Sequence, residues 1–197
     1  MSPRPRLKPD SEIIAGTVRA IERYGPVRLT LAHVGKEVGM APATLLQRFG
    51  SKRGLLLAAA KTGAASVRDE FARIRQEHTS ALSALEGVAR CMAQMARTPE
   101  SLSNSLAFLQ IDLADPEFHK FALAHAKQFR AEIRKLLDEA VRVGELRECS
   151  TARLANAVQS LIGGSMLNWA IHRHGKAQTW IASDLQTLLL PYRKAPR

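Results

Sequence analysis

Between Thr30 and Arg53 the chain sets out side chains whose chemistry suits a duplex polyanion. Thr44 and Gln47 are three positions apart, neighbours on a helix surface. A Gln carboxamide pairs with N6 and N7 of adenine, and an apolar side chain such as Leu46 suits a thymine methyl. Ala41 and Pro42 open this segment, and Ala43, Thr44, Leu46 and Gln47 are its candidates for base edges. Thr30, Arg48, Lys52 and Arg53 supply hydroxyl and cationic groups for phosphate oxygens. Arg4, Arg6 and Lys8 form a basic arm of the kind that enters a minor groove. For every exposed cation the competing reading is a solvated surface charge.

These residues act together only if short helices hold them. Apolar positions recur at three and four throughout the chain, so it reads as all-α, with about nine helices. Asp10 or Ser11 caps a first helix with Ile13, Ile14, Val18 and Ile21 on one face, ended by Gly25-Pro26. Thr30 caps a second, Leu31 to about Val38. Gly39 provides the tight turn, because glycine tolerates positive φ. Pro42 suits the first turn of a third helix, which runs to about Phe49. Gly50 stops it, and Ser51 caps a fourth. Leu31, Val34, Val38, Leu45 and Phe49 share one core. This is a helix-turn-helix, whose second helix enters a major groove.

The pattern resembles the DNA-binding domain of the TetR/AcrR family of transcriptional regulators. Matching positions are Thr30, Val34, Gly39, Thr44, Leu45, Phe49, Ser51, Lys52, Leu55 and Leu56. The run Phe49-Gly50-Ser51-Lys52-Arg53-Gly54-Leu55-Leu56 looks like the family's Phe-x-Ser/Asn-Lys-x-x-Leu-Leu signature. The likeness covers roughly residues 10–60. Members commonly carry Ser where this chain has Ala41, Tyr where it has Leu46, and Tyr or His where it has Arg48. The resemblance implies a sequence-specific DNA-binding regulator, and with no apolar run near the ~20 residues of a membrane span and none behind the N-terminus to serve as a signal peptide, the chain reads as cytoplasmic. The family's usual mode is repression, relieved when a small-molecule ligand releases a palindromic operator.

It also implies three parts: a basic arm over 1–9, the helix-turn-helix domain over 10–54, and a helical ligand-binding and dimerisation domain over 55–197. Helices are expected over 55–76, 80–97, 99–113, about 117 to 144, 151–175 and 178–190. Met92, Met95, Phe108, Leu109, Phe121, His125 and Phe129, with Asp112 as a polar member, are candidates to line a cavity for a small apolar or amphipathic effector. Plain core packing is the competing reading for each. Leu161, Gly163, Gly164, Leu167, Trp169, Leu185, Leu188 and Leu189 are candidates for a four-helix homodimer interface. Gly inside a helix costs ~1 kcal/mol relative to Ala, so a pair of them calls for a packing reason.

Composition narrows the remaining classes. Across 197 residues, 29 Lys and Arg against 18 Asp and Glu give a net charge of +11. Residues 1–54 hold ten basic and four acidic groups, so half of the excess lies in about a quarter of the chain. Such an excess favours nucleic acid or an anionic membrane surface. The helix from Phe118 to Val143 mixes both charge signs, which disfavours the membrane. Two cysteines, Cys91 and Cys149, exclude a disulfide scaffold. No Glu-x-x-His, His-Glu-x-x-His, Gly-x-Ser-x-Gly or phosphate-binding loop occurs, so no enzyme, metal or cofactor is expected.

Overall fold

The computed structural model describes residues 8–194; Arg4 and Arg6 lie outside them. Nine α-helices and two short 3₁₀ turns occur among the described residues, with no strand.

The first four helices follow local chemistry closely. Helix α1 spans Asp10–Arg28, and Gly25 interrupts it at φ 68°. Pro9, not Asp10 or Ser11, is its N-cap residue, and no side chain caps it. Asp10 and Glu12 instead sit in the first turn, where negative charge complements the helix dipole. Its inner face runs through Ile13, Gly16, Thr17, Ala20 and Ile21. Val18 stands well around the helix from Ile13 and is 43% exposed, contrary to expectation.

Helix α2, Leu31–Val38, begins with Thr30 Oγ1 accepting from the His33 N–H at 3.2 Å. The His33 Nδ1 accepts from the Thr30 N–H in return, at 3.3 Å. This reciprocal cap uses His where Glu or Gln is customary. Gly39 then takes a left-handed φ of 65°, which lets α3, Pro42–Phe49, turn back on α2. Helix α4, Lys52–Gln76, opens with Ser51 Oγ accepting from the Gly54 N–H at 2.9 Å.

Helix α4 serves two cores. Leu55 and Leu56 join Ile13, Ala20, Ile21, Leu29, Val34, Val38 and Leu45 in the head. Val67, Phe71 and Ile74 join the body. The body is built by α4 together with α5 (Ala81–Met92), α6 (Pro99–Ala114), α7 (Pro116–Arg142), α8 (Thr151–His172) and α9 (Ala177–Leu189). The expected 80–97 helix gives way to a 3₁₀ turn at Ala93–Ala96. Helix α8 ends at His172, short of Gly175, because Arg173 takes a left-handed φ of 53°.

Head and body interlock. Phe118 of α7 is 1% exposed within the head core, and Phe108 of α6 packs edge-on against it. The Asn104 amide donates to the Glu22 carbonyl at 2.8 Å, tying α6 to α1.

Three residues expected at a dimer interface belong to the body core. Trp169, Leu185 and Leu189 are 5%, 0% and 1% exposed within the single chain. The reason lies in the outline of α8 and α9, which carry apolar residues on two sides and bury only one against their own body. Leu161, Gly163, Gly164, Leu167 and Leu188 are on the less buried side.

Candidate nucleic-acid interface

Helix α3 is split cleanly between anchor and display. Leu45 is fully buried, and Phe49 is half-buried against the same core. Pro42, Ala43, Thr44, Leu46 and Gln47 are exposed, with Leu46 at 49%. Ala41 precedes them without a capping side chain, and Pro42 fixes the first helical φ in its place. The exposed face carries one hydroxyl, one carboxamide and several methyl groups, and no charge.

Two helix N-termini flank it. At α2, Thr30 is exposed while its side chain is engaged in the cap. At α4, Ser51 caps the helix and Lys52 follows. The Lys52 Nζ donates to the Val27 carbonyl at 3.2 Å, which holds its ammonium between the end of α1 and the start of α4. Free N–H groups and a positive helix end make such positions suited to phosphate.

Other cations are occupied. Arg48 Nε lies 2.5 Å from Asp10 Oδ1, and its Nη1 donates to the Lys8 carbonyl at 2.6 Å. The Lys8 ammonium turns back onto the Val38 carbonyl. Arg53, expected at phosphate, instead spans to the start of α7. Its Nη2 is 2.7 Å from Asp115 and its Nη1 2.6 Å from Glu117, and its guanidinium sits 5.4 Å from the Phe118 ring centre. The Arg53 guanidinium holds the Asp115 carboxyl below its ordinary range. Sequence reading missed Asp10, Asp115 and Glu117 as partners. Asp115-Pro116-Glu117 was legible only as a helix start, since nothing local announces a partner 62 residues away.

The residues expected to line one effector cavity differ in their surroundings. Phe129 is 6% exposed and meets Phe71 edge-on with ring centres 5.2 Å apart. Phe108 serves the head core, and Met95 and Leu109 are 38% and 43% exposed. Met92 is half-buried against the body core. Phe121 is half-buried on α7, and the His125 ring stacks on Phe129 at 5.9 Å. Burial pushes His125 below the ordinary imidazole range. Open grooves lie elsewhere. One of about 370 Å³ runs between α4 and α7 along Phe71, Arg75, Glu132 and Lys135. Another, of about 420 Å³, lies between α8 and α9 beside Leu161, Gly164, Ser165 and Asp184.

Asp112 does have an unusual environment. Its Oδ1 is buried without a hydrogen-bond partner, and burial pushes the carboxyl up to about 6. The folded chain therefore holds this proton more tightly than the unfolded chain does. The stability that Asp112 contributes is full below about pH 4 and is lost as pH rises through 6. Asp112→Asn is expected to raise the melting temperature at pH 7.5. The gain is about 1 kcal/mol once solvent screening is allowed for, or about 2–4 °C, and it disappears at pH 4. Thermal unfolding at the two pH values checks this. Among the described residues no three His, Cys, Asp or Glu side chains gather to hold a metal ion. No helix there is long and apolar enough to cross a membrane.

Comparison with known proteins agrees with this geometry. Residues 13–59 match the family model of bacterial regulatory proteins, tetR family. No curated protein sequence matches the chain significantly. Among solved structures, a TetR transcription regulator from Haloarcula marismortui is similar, with a TM-score of 0.75 at 14% identity over 94% of this chain and 98% of that one. The regulator FadR from Bacillus subtilis, in complex with stearoyl-CoA, has a TM-score of 0.66 at 18% identity, covering 90% and 96%. A transcriptional regulator from Cytophaga hutchinsonii has a TM-score of 0.69 at 16% identity, covering 93% and 98%. The matched segment contains α2, the Gly39 turn, α3 and the start of α4, and the likeness in fold continues through the body. Over residues 13–59 the chain is thus similar to the DNA-binding segment of the tetR family of bacterial regulatory proteins, and through the rest of its length it shares the fold of such regulators.

Proposed function

We propose that the chain works as a homodimer, represses by holding a palindromic operator, and releases it when a small apolar or amphipathic effector binds the body. The same reading puts it in the cytoplasm, with the DNA. The observation that carries the DNA half is the uncharged, exposed face of α3 between two capped helix N-termini. A single eight-residue helix reads few base pairs. Two copies about 34 Å apart fit successive turns of one duplex face.

The dimer reading is supported by the outer side of α8. A Cβ placed on Gly163 or Gly164 meets no atom of the chain within 4 Å, so their smallness answers to nothing in the protomer. Close approach of a second copy would use it. Leu167 and Ile171 stand exposed on the same helix, at 43% and 74%. For the effector, the supporting fact is that FadR, of similar fold, holds stearoyl-CoA. An effector acts by preferring a dimer whose heads are spread apart, and its differential affinity sets the size of the response.

Selection of binding sites from random duplex DNA tests the reading. The expected result is an enriched inverted repeat; failure to enrich any motif overturns it. Lys52→Ala is expected to weaken binding to all sequences alike, by about tenfold, and to lower the slope of log affinity against log salt by about 1. Titrations of operator and scrambled DNA at several salt concentrations measure both effects. A loss confined to the operator would remove Lys52 from the phosphate contacts.

A further inference from the structure

We propose that α3 reads A·T pairs, with Gln47 and Leu46 as the specificity-determining residues. The inference rests on the sequence-specific reading above and names the chemistry of the half-site. Guanine is recognised most often by an Arg or Lys that donates twice, to O6 and N7. Arg48 is the only charged residue in α3. Arg48 is also engaged, by Asp10 at 2.5 Å and by the Lys8 carbonyl at 2.6 Å. Lys8 and Lys52 are turned to the Val38 and Val27 carbonyls.

What α3 presents at the groove is therefore the Gln47 carboxamide, the Thr44 hydroxyl and the apolar Ala43 and Leu46. A carboxamide both donates and accepts, which matches N7 and N6–H₂ of adenine together; guanine offers two acceptors there and leaves the amide oxygen without a donor. Leu46, half-exposed, places an aliphatic surface where thymine carries its methyl group and cytosine carries none. Each group alone favours A·T over G·C, and neither has a cationic neighbour in α3 free to reverse that preference.

The test is selection from random duplex DNA with the full chain and with Gln47→Ala, an exposed position, and Arg48→Ala, a half-buried one, both of which leave Leu45 in place. The full chain is expected to enrich A·T at the pairs beneath α3. A G·C substitution at the pair read by Gln47 should cost about tenfold in affinity. In Gln47→Ala that discrimination should fall to within about twofold, while Arg48→Ala keeps the A·T motif. An enriched motif with G·C at those pairs, lost in Arg48→Ala, would overturn this inference and leave sequence-specific binding standing. If no variant enriches any motif, sequence-specific binding itself falls and the inference falls with it.

Discussion

Leu45→Ala is expected to abolish operator binding at 37 °C while the body stays folded. Leu45 is fully buried and is the one side chain of α3 that reaches the centre of the head. Removing a buried Leu side chain costs about 2–5 kcal/mol, from lost transfer energy plus the cavity left behind. A whole domain is stable by only about 5–15 kcal/mol, so the head loses a large share of its margin. Its core is small, and two of its buried members, Leu55 and Leu56, belong to a helix that the body also holds. The chain has two tryptophans, Trp169 and Trp180, both in the body. Their fluorescence reports body unfolding alone, whereas far-ultraviolet circular dichroism reports every helix. The expected pattern is an early loss of helix signal and of DNA retention, with the tryptophan transition near its original temperature. Leu46→Ala, one position away but exposed, should change stability by no more than about 0.5 kcal/mol. If Leu45→Ala retains DNA as the parent does, α3 is not held by this core, and the division into buried anchor and exposed display is wrong.

That division was legible because its causes are local. Thr30, Gly39, Pro42, Gly50 and Ser51 set the ends of α2, α3 and the start of α4 through caps, a fixed φ and left-handed turns, all within a few residues. The head's apolar face followed from spacing, apart from Val18, where four apolar residues on one helix did not share a single stripe. What stayed hidden depends on contacts between distant parts of the chain. Arg53 reads as an exposed cation until α7 brings Asp115 and Glu117 beside it. Arg48 reads the same way until Asp10 is folded against it. The body was harder still. Apolar residues on α6 and α7 have three possible destinations: the body core, the head core or a cavity. Phe129 went to the first and Phe108 to the second. On α8 and α9, Trp169 and Leu185 gave no sign that they face inward.

The outer side of α8 yields the second large effect. Gly164→Glu is expected to convert a dimer into a folded monomer and to lower operator affinity by about 10²–10⁴-fold, the advantage that linking two sites through effective concentration confers. The protomer has room for the change, since a Cβ at 164 meets nothing within 4 Å. Replacing a mid-helix Gly also adds about 0.5–1 kcal/mol of helix stability. The cost arises only on association. The groove beside Gly164 already contains Asp184, whose Oδ2 accepts from Ser165 Oγ at 2.5 Å. A second carboxylate there, met by its symmetry mate in a two-fold interface, would be desolvated without a cationic partner. Gly63→Glu adds the same charge at an exposed, uncrowded position of α4 and serves as the control. Light scattering should then give the monomer mass for Gly164→Glu and the dimer mass for the control. Thermal unfolding of dilute samples should show both folded, and titration with the selected operator should show the loss only for Gly164→Glu. A dimer that persists with full affinity would move the interface off this face, leaving the glycine pair without a function.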